Sequence, residues 1–138
     1  MTSLSPDVQN PKLLSSLNLA FVGDGVYELL VRQHLAALGS MPMGRLHRMT
    51  VKMVCAEAQS NAVEILLPLL TEEEEAVYKR GRNSSTAGVP RHSDPAHYRR
   101  ATGVEALFGW LYLAGQTERV NELFSHIAED AQHDEGTV

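Results

Sequence analysis

Leu19-Ala20-Phe21-Val22-Gly23-Asp24-Gly25-Val26-Tyr27-Glu28-Leu29 sits inside a nearly continuous apolar helical pattern that runs from about Leu13 to Leu38. Asp24 is out of place there. At helical spacing its neighbours are Ala20, Phe21, Tyr27, Glu28 and Val31, so its carboxylate is expected to face packed apolar groups or another acid. Burying an unpaired carboxylate costs several kcal/mol. The flanking Gly23 and Gly25 each weaken a helix by about 1 kcal/mol relative to Ala. A sequence shaped only for stability would not place these three residues together. The glycines allow something to approach the backbone closely.

A second stretch repeats the anomaly. In Ala101-Thr102-Gly103-Val104-Glu105-Ala106-Leu107-Phe108-Gly109-Trp110, Glu105 shares a helical face with Ala101, Phe108, Gly109 and Tyr112. Either acid alone could pair with a base such as Arg48, Arg99 or Arg100. Two helices that each carry an acid beside glycine invite a shared explanation. A hard divalent cation bound through oxygens compensates both charges. Magnesium held by one or two carboxylates, with water and phosphate in its other positions, is an established arrangement for phosphodiester hydrolysis. Glu28, one turn after Asp24, adds a like charge and is a candidate helper.

Outward from these two stretches, helix signals dominate and no alternating strand pattern appears. Gly39 stops the first helix, and Ser40 and Pro42 mark a restart. Leu46, Met49, Met53, Val54, Ala58, Ala62 and Ile65 then follow helical spacing until Pro68. Thr71 with Glu74 forms a capping box ahead of a short helix that is expected to stop near Gly81. Asn83 to Ser93 reads as an exposed loop. Asp94-Pro95 starts a helix that ends at Gly115, and Thr117 starts the last one. The expected fold is all-α, with an N-terminal extension over 1–12, one domain over 13–130 and a flexible acidic tail over 131–138.

Composition narrows the class. The 138 residues are 43% hydrophobic and 21% charged, which suits one globular domain. No apolar run is long enough for a membrane span, and the N-terminus has no secretory pattern, so the expected location is cytoplasmic, with no membrane partner. Cys55 is the single cysteine, which excludes an internal disulfide and a cysteine-rich zinc site; it reads as a small core residue. Net charge is −5, yet residues 79–100 hold six of the twelve basic residues against one acid. Such a cluster suits phosphate contact, because nucleic-acid binding follows the phosphates neutralised, not the overall charge. Lys79, Arg80, Arg82, Asn83 and Arg99 are the candidate phosphate contacts.

Val22-Gly23-Asp24 in an apolar helix, followed 81 positions after Asp24 by Glu105 in Thr102-Gly103-Val104-Glu105-Ala106-Leu107-Phe108-Gly109, resembles the ribonuclease III catalytic domain. The resemblance is closest to its short bacterial branch. Gly23 to Glu28, Leu46-His47, Lys79 to Asn83 and Tyr98 to Thr102 fall in the family's order and extend the match over roughly residues 15–127. The resemblance implies an all-α endonuclease domain working as a homodimer with two active centres. Each centre would cut one strand of double-stranded RNA with Mg2+ as cofactor, leaving 5′-phosphate and 3′-hydroxyl ends. Asp24 and Glu105 would be the catalytic and metal-holding residues, and the associated role is maturation of the 23S ribosomal RNA precursor. Full-length ribonuclease III carries acids where this chain has Ala20 and Thr102, which bears on the number of metal ions. The competing readings are an inert RNA-binding or ribosome-associated protein on the same scaffold, and a helical metal phosphohydrolase acting on nucleotides.

Overall fold

Every residue from Ala101 to Leu111 is buried except Glu105. A helix apolar on all sides has to lie at the centre of its domain, and this one does. The computed structural model describes residues 10–11, 14–84, 91 and 94–136, all in helices or their connections, with no strand among them. The helices are α1 (Ser16–Ala36), α2 (Met43–Val54), α3 (Ala56–Leu66), α4 (Glu72–Ser84), α5 (Pro95–Leu113) and α6 (Thr117–Gly136), with a 3-10 turn at Leu67–Leu69. α5 is the hub: α1 packs along it most extensively, then α4 and α3.

The ends of these helices follow local chemistry. Ser15 caps α1 by accepting a hydrogen bond from the Asn18 amide. Thr71 and Glu74 form a reciprocal capping box: the Thr71 amide donates to Glu74 Oε1 at 2.9 Å and the Glu74 amide to Thr71 Oγ1 at 3.1 Å. Asp94 caps α5 through the amides of Ala96 and His97, with Pro95 in the first turn. The far end closes on Gly115 at φ +78°, with the Gln116 amide reaching Leu111 O and the Gly115 amide reaching Tyr112 O.

α6 lays Val120, Leu123, Phe124, Ile127 and Ala128 against the core, a helical stripe of the expected width. Tyr27 of α1 joins three helices by edge-on contacts with Phe108 and Phe124.

Three expectations are corrected. The helix expected from Pro42 to Pro68 is two, because Cys55 is extended (φ −64°, ψ 157°) and both ends α2 and begins α3. Cys55 is exposed at that bend, not in the core. α4 continues past Gly81 to Ser84. Most of the expected loop (85–90 and 92–93), most of the N-terminal extension and the last two residues lie outside the described residues.

Candidate active site

The crossing of α1 over α5 is set by two glycines. A Cβ on Gly23 would land on the Glu105 carbonyl oxygen and 2.9 Å from the Gly109 nitrogen; one on Gly109 would land on the Leu19 carbonyl oxygen. What the glycine at 23 admits is therefore the α5 backbone. Gly25 has open space beside it instead. A second crossing holds α4 on α5, where a Cβ on Gly81 would lie 2.6 Å from Ala106 Cβ and one on Gly103 would lie 2.7 Å from the Tyr78 ring. Glycines on both sides of Glu105 thus lock its helix between α1 and α4.

This crossing brings the two anomalous acids together. Glu105 is partly buried, and its carboxyl is pushed up to about 8, first by burial and then by the hydrogen bond and negative charge of Asp24. Asp24 is itself exposed; of the two expected settings, packed apolar groups or another acid, it meets the acid, because part of the apolar pattern of α1 faces solvent. Gln59 of α3, only 3% exposed, hydrogen-bonds Glu105 and favours its charged form. Nothing in the spacing of the sequence singled Gln59 out; a buried glutamine on the apolar face of α3 is the signal that could have. Glu28 faces Arg32 at 3.8 Å, with both side chains well exposed.

The two positions where full-length ribonuclease III carries acids offer no carboxylate. Ala20 is buried, and the Thr102 hydroxyl donates to the Tyr98 carbonyl at 3.0 Å. Among the described residues no cluster of three or more His, Cys, Asp and Glu could hold a metal. The donor set is one carboxylate pair, Asp24 with Glu105.

The basic residues divide. Arg82, Asn83, Arg99 and Arg100 line an open cleft of about 550 Å³ between the end of α4 and the start of α5. The Arg82 guanidinium lies over the Tyr78 ring and its Nε donates to Asn83 Oδ1 at 3.2 Å. Arg100 belongs to this cleft although the sequence reading did not include it in the RNA-binding set. Lys79, paired with Glu75 at 3.5 Å, and Arg80 are exposed outside it.

Comparison with known proteins identifies the family. The ribonuclease III domain family model matches residues 17–116. Fold and family match together define a ribonuclease III-type endoribonuclease domain. Over 120 residues the chain is 45% identical to a Mini-ribonuclease 3 from Symbiobacterium thermophilum, covering 87% of this chain and 92% of that one. It is 44% identical to one from Enterococcus faecalis, covering 83% and 88%. A crystal structure of a Fusobacterium nucleatum protein superposes with a TM-score of 0.78 at 28% identity, covering 87% of this chain and 96% of that one. The chain belongs to the ribonuclease III family, in its Mini-ribonuclease 3 branch. No helix among the described residues is long and apolar enough to cross a membrane.

Proposed function

We propose that this endoribonuclease cuts double-stranded RNA with Mg2+ as cofactor, as a homodimer in the cytoplasm, and that it matures the 23S ribosomal RNA precursor. The observation that carries the reading is the Asp24–Glu105 pair, held by the Gly23–Gly109 crossing on the same helix, α5, whose first turns line an arginine-rich cleft. The pair fits magnesium. Both donors are hard oxygens, magnesium uses one or two carboxylates and keeps water and phosphate in its other positions, and a divalent charge relieves the repulsion that raises Glu105. When bound, the ion supplies charge at the phosphate and a more acidic water.

The side chains have separable tasks. Asp24 and Glu105 hold the ion, and Gln59 orients Glu105 and favours its charged form against burial and the Asp24 charge. Arg82, Asn83, Arg99 and Arg100 bind phosphates, with Lys79 and Arg80 as outer contacts. A-form RNA is recognised here through its phosphates, 2′-hydroxyls and shape, since its deep major groove hides the base edges. Water, not a side chain, is the nucleophile, which gives 5′-phosphate and 3′-hydroxyl ends. Glu28, one turn after Asp24 on α1, is the auxiliary group of this proposal.

An apolar surface supports the homodimer. Phe21 is 83% exposed, and beside it Val22, Gly25, Val26, Leu29 and Tyr112 line a groove of about 360 Å³. A contiguous apolar patch of this kind marks an association site. Incubating the protein with duplex RNA and ribosomal precursor RNA, with and without magnesium, tests the proposal; absence of cleavage in every mixture refutes it.

A further inference from the structure

α2 carries chemistry that the catalytic reading leaves unused. Between Glu28 and Glu57 the chain has no acidic residue and four basic ones, Arg32, Arg45, Arg48 and Lys52. The last three lie on α2 at i, i+3 and i+7, which places them in one stripe about 10 Å long. No residue of α2 is buried, and these three are exposed. A neighbouring face, Leu46, Met49 and Met53, lies roughly 100° around the helix from the stripe and packs against the core, which leaves the stripe on the exposed flank of α2.

Charge distribution separates this stripe from an ordinary solvated helix face. The segments 29–56 and 79–100 together hold ten of the twelve basic residues and one acid, so the rest of the chain is net −14. In so acidic a protein a surface helix would ordinarily carry acids at i±4 to its bases. α2 has none, and among the described residues no carboxylate pairs with Arg45, Arg48 or Lys52. At the end of the stripe Lys52 lines a cavity with Tyr27 of α1 and Asp130 of α6. α2 rests on α1 and α3, whereas the arginine cleft lies between α4 and α5, so the two basic surfaces are distinct.

We infer that the Arg45–Arg48–Lys52 face of α2 binds the sugar-phosphate backbone of the RNA duplex being cut, as a second contact beyond the Arg82–Arg99–Arg100 cleft. The inference rests on the double-stranded RNA substrate proposed above. Two separated basic surfaces suit a rigid polyanion that extends past the site on both sides, and a small nucleotide substrate would need only one.

The test is duplex-RNA binding without divalent cation, so that nothing is cut, over a series of potassium chloride concentrations. The triple variant Arg45→Gln, Arg48→Gln, Lys52→Gln should keep the wild-type melting temperature within a few degrees, because all three side chains are solvated. Its affinity should fall about tenfold or more near 0.1 M salt, and its log-affinity against log-salt slope should flatten by about 2, for three lost contacts. The single reversal Lys52→Glu should weaken binding in the same direction, which guards against a fold defect peculiar to the triple change. Unchanged affinity and slope in both variants, with wild-type protein binding normally, would overturn the α2 contact alone. A wild-type protein that neither binds nor cuts any duplex would overturn the proposed function and this inference with it.

Discussion

Gly23 and Gly109 face each other where α1 crosses α5, so closely that neither has room for a Cβ. The acid pair is a product of that contact, because Asp24 follows one glycine and Glu105 lies a turn before the other. Gly23→Ala or Gly109→Ala must push the two helices apart, since the obstructing atoms are backbone. Each should destabilise the protein by about 3 kcal/mol or more and reduce cleavage by separating the acids. Thermal melts with circular dichroism check the first effect. A variant of wild-type stability would show that the crossing is looser than described.

Gln59 is a positioning residue for Glu105. Gln59→Leu fills the same buried space but removes the amide, so Glu105 should become harder to ionise. The expected result is a 10- to 100-fold weaker response to magnesium, roughly the usual cost of losing an outer partner of a metal ligand. The acid limb of the pH–rate profile should also move upward. A magnesium titration identical to wild type would remove Gln59 from the site.

Away from the site, Glu74 and Arg119 form a two-pronged ion pair. Arg119 Nε and an Nη reach the two Glu74 oxygens at 2.9 and 2.8 Å, and the same Nη donates to Leu69 O. Arg119 also pairs with Glu122. The Arg119 guanidinium, with help from Thr71, holds the Glu74 carboxyl below its ordinary range despite burial. A carboxyl lowered by folding stabilises the protein above its unfolded value, and the benefit is lost as pH falls through the folded one. Arg119→Met should therefore cost about 3 kcal/mol at neutral pH, since Glu74 is left buried without a counter-ion. The gap to wild type should narrow in acid, well below pH 4.5, the ordinary Glu74 value. Urea melts at two pH values measure it, and a gap independent of pH would contradict the assignment.

The groove beside Phe21 gives the proposed homodimer its own test. Sedimentation should give about 30 kDa, twice the 15.2 kDa chain. Phe21→Glu should shift it to monomer, because the ring is solvated in the protomer and its replacement costs nothing there. If the wild-type chain sediments as a monomer while still cutting both strands, no dimer is needed.

Much of this molecule was legible from local chemistry. The Thr71–Glu74 box, the Asp94-Pro95 start and the Gly115 stop are encoded within four residues of where they act, so pattern finds them. The bend at Cys55 is not: periodicity runs through Met49, Met53 and Ala58 without Gly or Pro, and the direction of α3 is decided by its packing on α5. Gly81 looked like a helix stop because glycine usually is one; here it makes room for Ala106 and Gly103 of α5. The pairing of Asp24 with Glu105 was readable as two matching anomalies. The exposure of Asp24 was not, because an apolar helix pattern does not reveal which part of it waits for another surface.

The central claim is that Asp24 and Glu105 form one catalytic metal pair. The direct measurement is cleavage of end-labelled duplex RNA in magnesium by wild type, Asp24→Asn and Glu105→Gln, with melting curves of the same proteins in metal-free buffer. Wild type should cut, and both variants should bind duplex yet cut at least about a thousandfold more slowly. Glu105→Gln should also be more stable than wild type without metal. Folding raises the Glu105 carboxyl from 4.5 to about 8, so the wild type loses stability as pH rises between those values. The advantage of the variant should open over that window, reach about 1–3 kcal/mol above it, and shrink when magnesium is added. Cleavage by either variant at near wild-type rate, or a stability difference that ignores both pH and magnesium, would contradict the account.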